Sequence, residues 1–380
     1  MHSECSDHDD AAFLEANRDR PLHGVCEFMQ GLGDARHNGL DVVLAGENAT
    51  GSGVRREWLR CVAAELADCR YGVFRPDSNR GHTLWPNPGS DVHENHEQWL
   101  EMAGWITGVA LFHGEVLPGF HLSPLFIKQV LGLEPTAEDV ESIDPVLYQN
   151  KIKLLTHQTY RDNGFHTIEE YCEGCNMELT FEVAVEYFGS VRNVELVPGG
   201  GKRKVTEDNK DEFIVALVNH VCHTCIEPQL RAFTQGLDRW LPDHVRRKLT
   251  EVATPAEVAV MIAGRTELDV KEWRAHSTLD VRLDADTFWH VVEGLTDEER
   301  SLLLAFVTGS PALPSGGFAA LQGFGGGLQP FKVVLEPDNR RLPTASTCFN
   351  TLYLPRYESE EEMVRQLRRV LHESAAPMEV

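Results

Sequence analysis

Long apolar runs are missing from this chain of 380 residues. The longest, Ala103 to Phe112, is about half of the roughly 20 residues that a membrane-spanning helix needs, so no span is expected. Basic charge is also scarce: 35 lysines and arginines stand against 59 aspartates and glutamates, a formal charge of -24. That field repels phosphate backbones and anionic lipid, which argues against nucleic acid as a partner and in favour of a basic protein surface. The opening "MHSECSDHDDAAFLEANRDR" has neither a basic n-region nor an apolar h-region. It reads as a polar lead-in over residues 1-35, expected to be mobile, and not as a signal peptide. Internal repeats and low-complexity segments are absent too. The nine cysteines show no framework spacing, so reduced thiols and an intracellular setting, cytoplasmic or nuclear, are expected.

What is present is an ordinary globular composition, 42% apolar and 25% charged, on a chain long enough for two or three domains. "HNGLDVVLAGENATGSGVRREWLRCVAAEL" moves from a strand, Leu40 to Leu44, through a Gly/Ser turn into a helix that buries Trp58, Leu59, Val62 and Leu66. Its glycines invite a phosphate-loop reading, but no Lys-Ser/Thr follows them, so a turn is expected. "WLEMAGWITGVALFHG" is apolar nearly all round and fits a helix inside a helical domain, with His113 as a cap or core residue. "GFHLSPLFIKQVLG" and "DPVLYQNKIKLLTHQT" follow as further helices. From Met177 to Val205 the alternation turns to strands around Gly199-Gly200-Gly201. The helix "NKDEFIVALVNHV" then places Phe213, Leu217 and His220 on one stripe.

A break at "AGRTELD" separates about 113 residues as a C-terminal domain. There, "TDEERSLLLAFVTG" opens on a Thr296/Glu299 capping box, is expected to bury Leu302, Leu303, Phe306 and Val307, and stops at Gly309. "PFKVVLEP" and "CFNTLYLP" alternate as strands. "SEEEMVRQLRRVLHES" forms the last helix, with Ser359 and Glu362 as a second box and Met363, Leu367 and Val370 inward.

Two Cys-x-x-Cys pairs, Cys172/Cys175 and Cys222/Cys225, could in principle supply four thiolates to zinc. Their separation is long and the second pair lacks a knuckle's glycine or proline, so buried apolar thiols are the expectation and no metal is assigned. Cys348 has a different setting, in "RLPTASTCFN": Pro343 stiffens the backbone, and a polar turn precedes a strand, so the thiol belongs on a loop at a sheet edge. A cysteine protease would need an imidazole in reach. Only His372 follows Cys348, and His276 and His290 precede it without being presented to it. A thiol that attacks a thioester needs much less help, because the leaving thiolate matches it in pKa.

"RLPTASTCFNTLYLPRYESEEEMVRQL" resembles the C-terminal end of the HECT family of E3 ubiquitin ligases, whose pattern is Leu-Pro-x-x-x-Thr-Cys-Phe-Asn-x-Leu-x-Leu-Pro-x-Tyr. Leu342, Pro343, Thr347, Cys348, Phe349, Asn350, Leu352, Leu354, Pro355 and Tyr357 match it. Further landmarks, among them "GENATGSGVRREW", "DPVLYQN", "LVPGGGKRKVTEDNKDEF" and "IAGRTELDV", follow in the family's order from about residue 38. The resemblance implies an α+β, bilobal architecture: a mainly helical N-lobe over 36-264 with a small β-containing E2-binding subdomain at about 144-222, a flexible hinge at 265-267, and an α/β C-lobe over 268-380. It implies that ubiquitin passes from an E2 ubiquitin-conjugating enzyme to Cys348 as a thioester, then to a lysine of a protein substrate, with no cofactor. Thr347 and Asn350 would hold the cysteine's loop, and Phe213 and Leu217 would contact the E2. Two positions depart from the family: Ser346 stands where many members have histidine, and the tail "AAPMEV" lacks their terminal aromatic residue. They leave a catalytically weak or inactive scaffold for E2 and ubiquitin as the alternative.

Overall fold

The computed structural model describes residues 11–32, 39–47, 51–77, 83–187, 190–323, 327–336 and 341–375. Structure begins earlier than composition implies. Ala12–Ala16 (β1) pairs in parallel with Leu40–Leu44 (β2), and Val25–Leu32 (α1) bridges them. The segment read as a mobile lead-in thus contributes to the core between Ala12 and Leu32. Its alternation is the cause: Ala12, Leu14 and Ala16 point inward while Phe13 and Glu15 point out, a half-buried strand within polar surroundings.

Ser52–Leu66 (α2) buries Trp58, Leu59, Val62 and Leu66, as their spacing requires. Phe74–Pro76 (β3) and Leu84–Pro86 (β4) form a small antiparallel pair ahead of the long apolar helix His96–His113 (α3) and Pro124–Val130 (α4). Five short helices follow: Val140–Ile143 (α5), Pro145–Leu147 (α6), Leu154–Thr156 (α7), Thr159–Asp162 (α8) and Ile168–Gly174 (α9). The run expected as one helix over "DPVLYQNKIKLLTHQT" is continuously helical from Pro145 to Thr156, with a π segment at Tyr148–Lys153 between its two short α pieces. Glu182–Tyr187 (β5) and Ser190–Glu195 (β6) make an antiparallel hairpin. Lys210–Cys222 (α10), Glu227–Asp238 (α11), Asp243–Leu249 (α12) and Pro255–Ala263 (α13) complete the N-terminal body.

The C-terminal body contains Val270–Ala275 (α14), Ser277–Leu279 (β7), Ala285–Glu293 (α15), Asp297–Thr308 (α16), Phe331–Glu336 (β8), Thr344–Ser346 (β9), Thr351–Pro355 (β10) and Glu360–Ala375 (α17). Its sheet runs β7-β8-β10-β9, with parallel pairs inside and β9 antiparallel at the edge. Trp273 stacks on Phe318 and meets Phe331 edge-on beneath it. The Thr296/Glu299 capping box forms. The inward face of α16 is turned from the expected one: Leu303, Leu304 and Val307 are buried, whereas Leu302 and Phe306 are only half-buried. Six consecutive apolar residues, Leu302 to Val307, leave the helix free to choose its stripe, and docking against α17 chooses it.

Apolar packing divides into two cores, one from Ala12 to Ile262 and one from Val270 to Leu371. The expected hinge lies in the gap. There Arg265 exchanges both backbone hydrogen bonds with Leu313, at 2.8 and 2.9 Å, so the first residue after Gly264 is tied to the C-lobe. Among the described residues no helix is long and apolar enough to cross a membrane.

The N-lobe is organised around α3 and α11, whose backbones touch. A Cβ on Gly104 would fall on the Phe233 carbonyl, and one on Gly236 on the Glu101 carbonyl. Gly104→Ala is therefore expected to push the two helices apart and to cost at least about 2 kcal/mol, read from the urea midpoint; an unchanged midpoint would contradict this close approach.

Candidate functional site

Cys348 lies in a single 3-10 turn, Thr347–Phe349, between edge strand β9 and the inner strand β10. The strand expected from Cys348 onward thus begins three residues later. A left-handed residue ends the turn: Asn350 has φ 47° and is fully buried. Asparagine tolerates that conformation, and here its side chain is used as well. Its Nδ2 donates to the Gln322 carbonyl at 3.0 Å and the Gln329 carbonyl at 2.8 Å, while its own carbonyl accepts from the Lys332 amide at 2.8 Å. The turn is fixed to the loop before β8 and to β8 itself. Cys348 is half-buried, and its neighbour Phe349 projects outward, 55% exposed.

The other wall of this site comes from the N-lobe, which sequence reasoning treated only as a turn. A Cβ on Gly53, in the first turn of α2, would stand 3.1 Å from the Cys348 sulfur and 3.9 Å from Thr347 Oγ1. Ser52 Oγ donates to the Gly323 carbonyl at 3.4 Å. One turn on, the buried Arg56 donates through Nε to Glu115 at 3.0 Å, through Nη1 to the Thr308 carbonyl at 3.0 Å and through Nη2 to the Gln322 carbonyl at 3.3 Å. Arg55 approaches the same carboxylate at 4.0 Å and donates to the Leu40 carbonyl at 3.0 Å. Burial pushes Glu115 up and Arg55 down, while the ionic partners oppose both shifts. His113 accepts the Leu40 amide at 3.0 Å through Nε2, and burial, then Arg55, push its pKa down to about 4.

No described contact supplies an imidazole to Cys348. His290 instead approaches Glu360 at 3.5 Å, and His276 ends α14. The four Cys-x-x-Cys thiols stand on the N-lobe at the ends of α9 and α10; Cys222 is buried, and burial pushes Cys225 up to about 11. Among the described residues no group of three or more His, Cys, Asp or Glu is placed to hold a metal ion.

Phe213 and Leu217 are placed differently from the expectation that they contact an E2. Both are 0% exposed; Phe213 packs edge-on against Phe181, 5.4 Å between ring centres. Their stripe is the inward face of α10. The outward face carries Val215, 69% exposed, and the same period that picked Phe213 and Leu217 would have picked it by opposition. The tail residues Pro377 and Met378 lie outside the described residues.

Comparison with known proteins agrees with this geometry. The family model described as HECT-domain (ubiquitin-transferase) matches residues 60–380. The E3 ubiquitin-protein ligase HACE1 of Danio rerio is 34% identical over 366 residues, covering 94% of this chain and 38% of that protein. Human HACE1 gives the same identity and coverage. The E3 ubiquitin-protein ligase Smurf1 of Drosophila melanogaster is 35% identical over 330 residues, 85% of this chain and 29% of that protein. The chain spans about two fifths of the length of the HACE1 relatives, 38% for the zebrafish and human proteins.

The His113 shift gives the region a pH signature. Its folded pKa of about 4 lies below the unfolded 6.5, so the unfolded chain takes up the proton first as pH falls. The stabilisation is present above pH 6.5 and is lost as pH drops from there through 4. His113→Gln, which keeps an acceptor that does not titrate, is expected to flatten that limb of the Tm profile relative to wild type; equal slopes in the two proteins would exclude His113 as its source.

Proposed function

The chain belongs to the HECT family of ubiquitin transferases, and from that membership we propose that Cys348 accepts ubiquitin from an E2 enzyme as a thioester and passes it to a lysine of a protein substrate. One observation carries the reading: a half-exposed thiol sits in a turn whose next residues are locked into the sheet by Asn350.

In the first step the Cys348 thiolate attacks the carbonyl carbon of ubiquitin's C-terminal glycine. The new C–S bond forms as the bond to the E2 sulfur breaks, and the departing thiolate takes up a proton equivalent to the one Cys348 lost. One thioester replaces another, so the free-energy change is small and positioning sets the rate. In the second step a neutral lysine amine attacks the same carbon. A C–N bond replaces the bond to Cys348, the amine gives up a proton, and the Cys348 thiolate is regenerated. Neither step needs a metal, a redox partner or a resident histidine. The family's two-lobe plan with a short flexible connection supports carriage of the thiol between donor and acceptor.

The E2 is proposed to dock on the small subdomain, with Val215 as an outward contact while Phe213 and Leu217 hold α10 from within. A valine 69% exposed on α10 supports that assignment, because apolar anchors dominate the energetics of such surfaces.

Two measurements test these readings. With E1, charged E2 and ubiquitin, a non-reducing gel is expected to show a thiol-sensitive ubiquitin adduct that Cys348→Ala abolishes. An adduct that persists in that variant would remove Cys348 from the chemistry, and no adduct with any E2 would favour the binding scaffold. Val215→Asp is expected to slow adduct formation at least about tenfold at limiting E2, equivalent to roughly 1.4 kcal/mol of lost docking, with the melting temperature unchanged. Unchanged loading would place the E2 elsewhere.

A further inference from the structure

The lobes meet at Cys348 itself. The first turn of α2 stands over one side of the thiol, and the fit exists because residue 53 has no side chain: a Cβ there would press on the sulfur at 3.1 Å. What joins the lobes at this point is the Arg56 guanidinium. Its Nε is satisfied within the N-lobe by Glu115, at 3.0 Å. Its two terminal nitrogens are satisfied across the gap, by the carbonyls of Thr308 at 3.0 Å and Gln322 at 3.3 Å. Thr308 ends α16, and the Gln322 carbonyl also receives Asn350 Nδ2 at 3.0 Å. A chain of hydrogen bonds therefore runs from an N-lobe carboxylate, through Arg56 and Gln322, to the residue that locks the cysteine's turn.

We propose that this docked arrangement is a resting state in which α2 shields the Cys348 thiol, and that Arg56 is the latch that holds it closed. The proposal rests on the reading of Cys348 as the thioester residue, but it concerns only access to the thiol. Three features favour a releasable latch over a permanent seam. The Arg56–Glu115 pair belongs wholly to the N-lobe and survives opening, so no unpaired buried charge is created. The bonds that break are two charge-assisted contacts to backbone carbonyls and the longer Ser52–Gly323 hydrogen bond, which water replaces at modest cost. The hydrophobic cores of the two lobes are separate, so opening leaves each intact. An E2 whose thioester must be approached on the side that α2 covers would react only with the open form, and its binding would shift the population toward that form.

The test reads access without requiring ubiquitin transfer. The 380-residue chain is treated with fluorescein maleimide, and the labelling rate of each cysteine is followed by peptide mass spectrometry. Arg56→Gln removes the charged fork but sits away from the thiol, and it leaves Glu115 with a neutral donor. Gly53→Leu leaves the Arg56–Glu115 pair intact and wedges the contact directly. Both variants are expected to raise the Cys348 labelling rate at least about threefold, because that rate scales with the open fraction, while the buried Cys222 stays protected. An unchanged or slower Cys348 rate in Arg56→Gln overturns the latch. So does a rise matched at Cys222, since the shielding would then come from the fold as a whole. Loading from charged E2 is measured in parallel. Faster labelling with no adduct in any variant leaves the latch standing and defeats the transferase reading; normal loading with unchanged labelling does the reverse.

Discussion

The carbonyl of Gln322 accepts two hydrogen bonds, one from Asn350 in its own lobe and one from Arg56 in the other, and the placement of Cys348 depends on that shared acceptor. From the C-lobe side it fixes the left-handed residue that ends the cysteine's turn. From the N-lobe side it draws α2 against the thiol. The buried Glu115 makes the second contact tolerable, because a guanidinium that is only 7% exposed would otherwise carry an uncompensated charge. Acceptor, fork and carboxylate form one unit, and the sheet edge that presents the thiol is built around it.

That arrangement suits a thiol that exchanges thioesters better than one that cleaves amides. Amide cleavage asks for an imidazole held in place to activate the thiol and protonate a poor leaving group. Thioester exchange asks for a nucleophile of matched pKa, a clear line of approach and freedom to visit two partners. Two separate hydrophobic cores joined by a short connection supply the third, and separation of the lobes clears the approach that α2 covers. The acidic balance of the chain, -24 in formal charge, would steer basic surfaces toward it.

Much of this was legible in the sequence, and the failures share a cause. Local signals placed well: the Thr296/Glu299 capping box, the Leu40–Leu44 strand, and a turn before a strand around Cys348 each depend on neighbours a few residues away. Signals that depend on what an element packs against did not. The stripe of α10 put Phe213 and Leu217 on one face but could not say whether that face meets core or partner, and both side chains are buried in the core. On α16 a run of six apolar residues left the choice between Leu302 and Leu304 to the docking helix. The strand at Ala12–Ala16 was hidden because its pairing partner lies across α1 and its exposed positions are polar or isolated. Arg56 and Glu115, 59 residues apart, gave no sequence signal of their pairing at all.

The measurement that bears most directly on the central claim is the chemical identity of the ubiquitin linkage in the unmutated protein. A mixture with charged E2 is quenched at low pH and digested without reductant, and the cross-linked peptide is sequenced by mass spectrometry. Ubiquitin's C-terminal glycine joined to the Cys348 peptide, by a bond that added thiol removes, is the expected result. Attachment to a different cysteine, or only thiol-resistant bonds to lysine with no cysteine-linked species at any time point, would contradict the account.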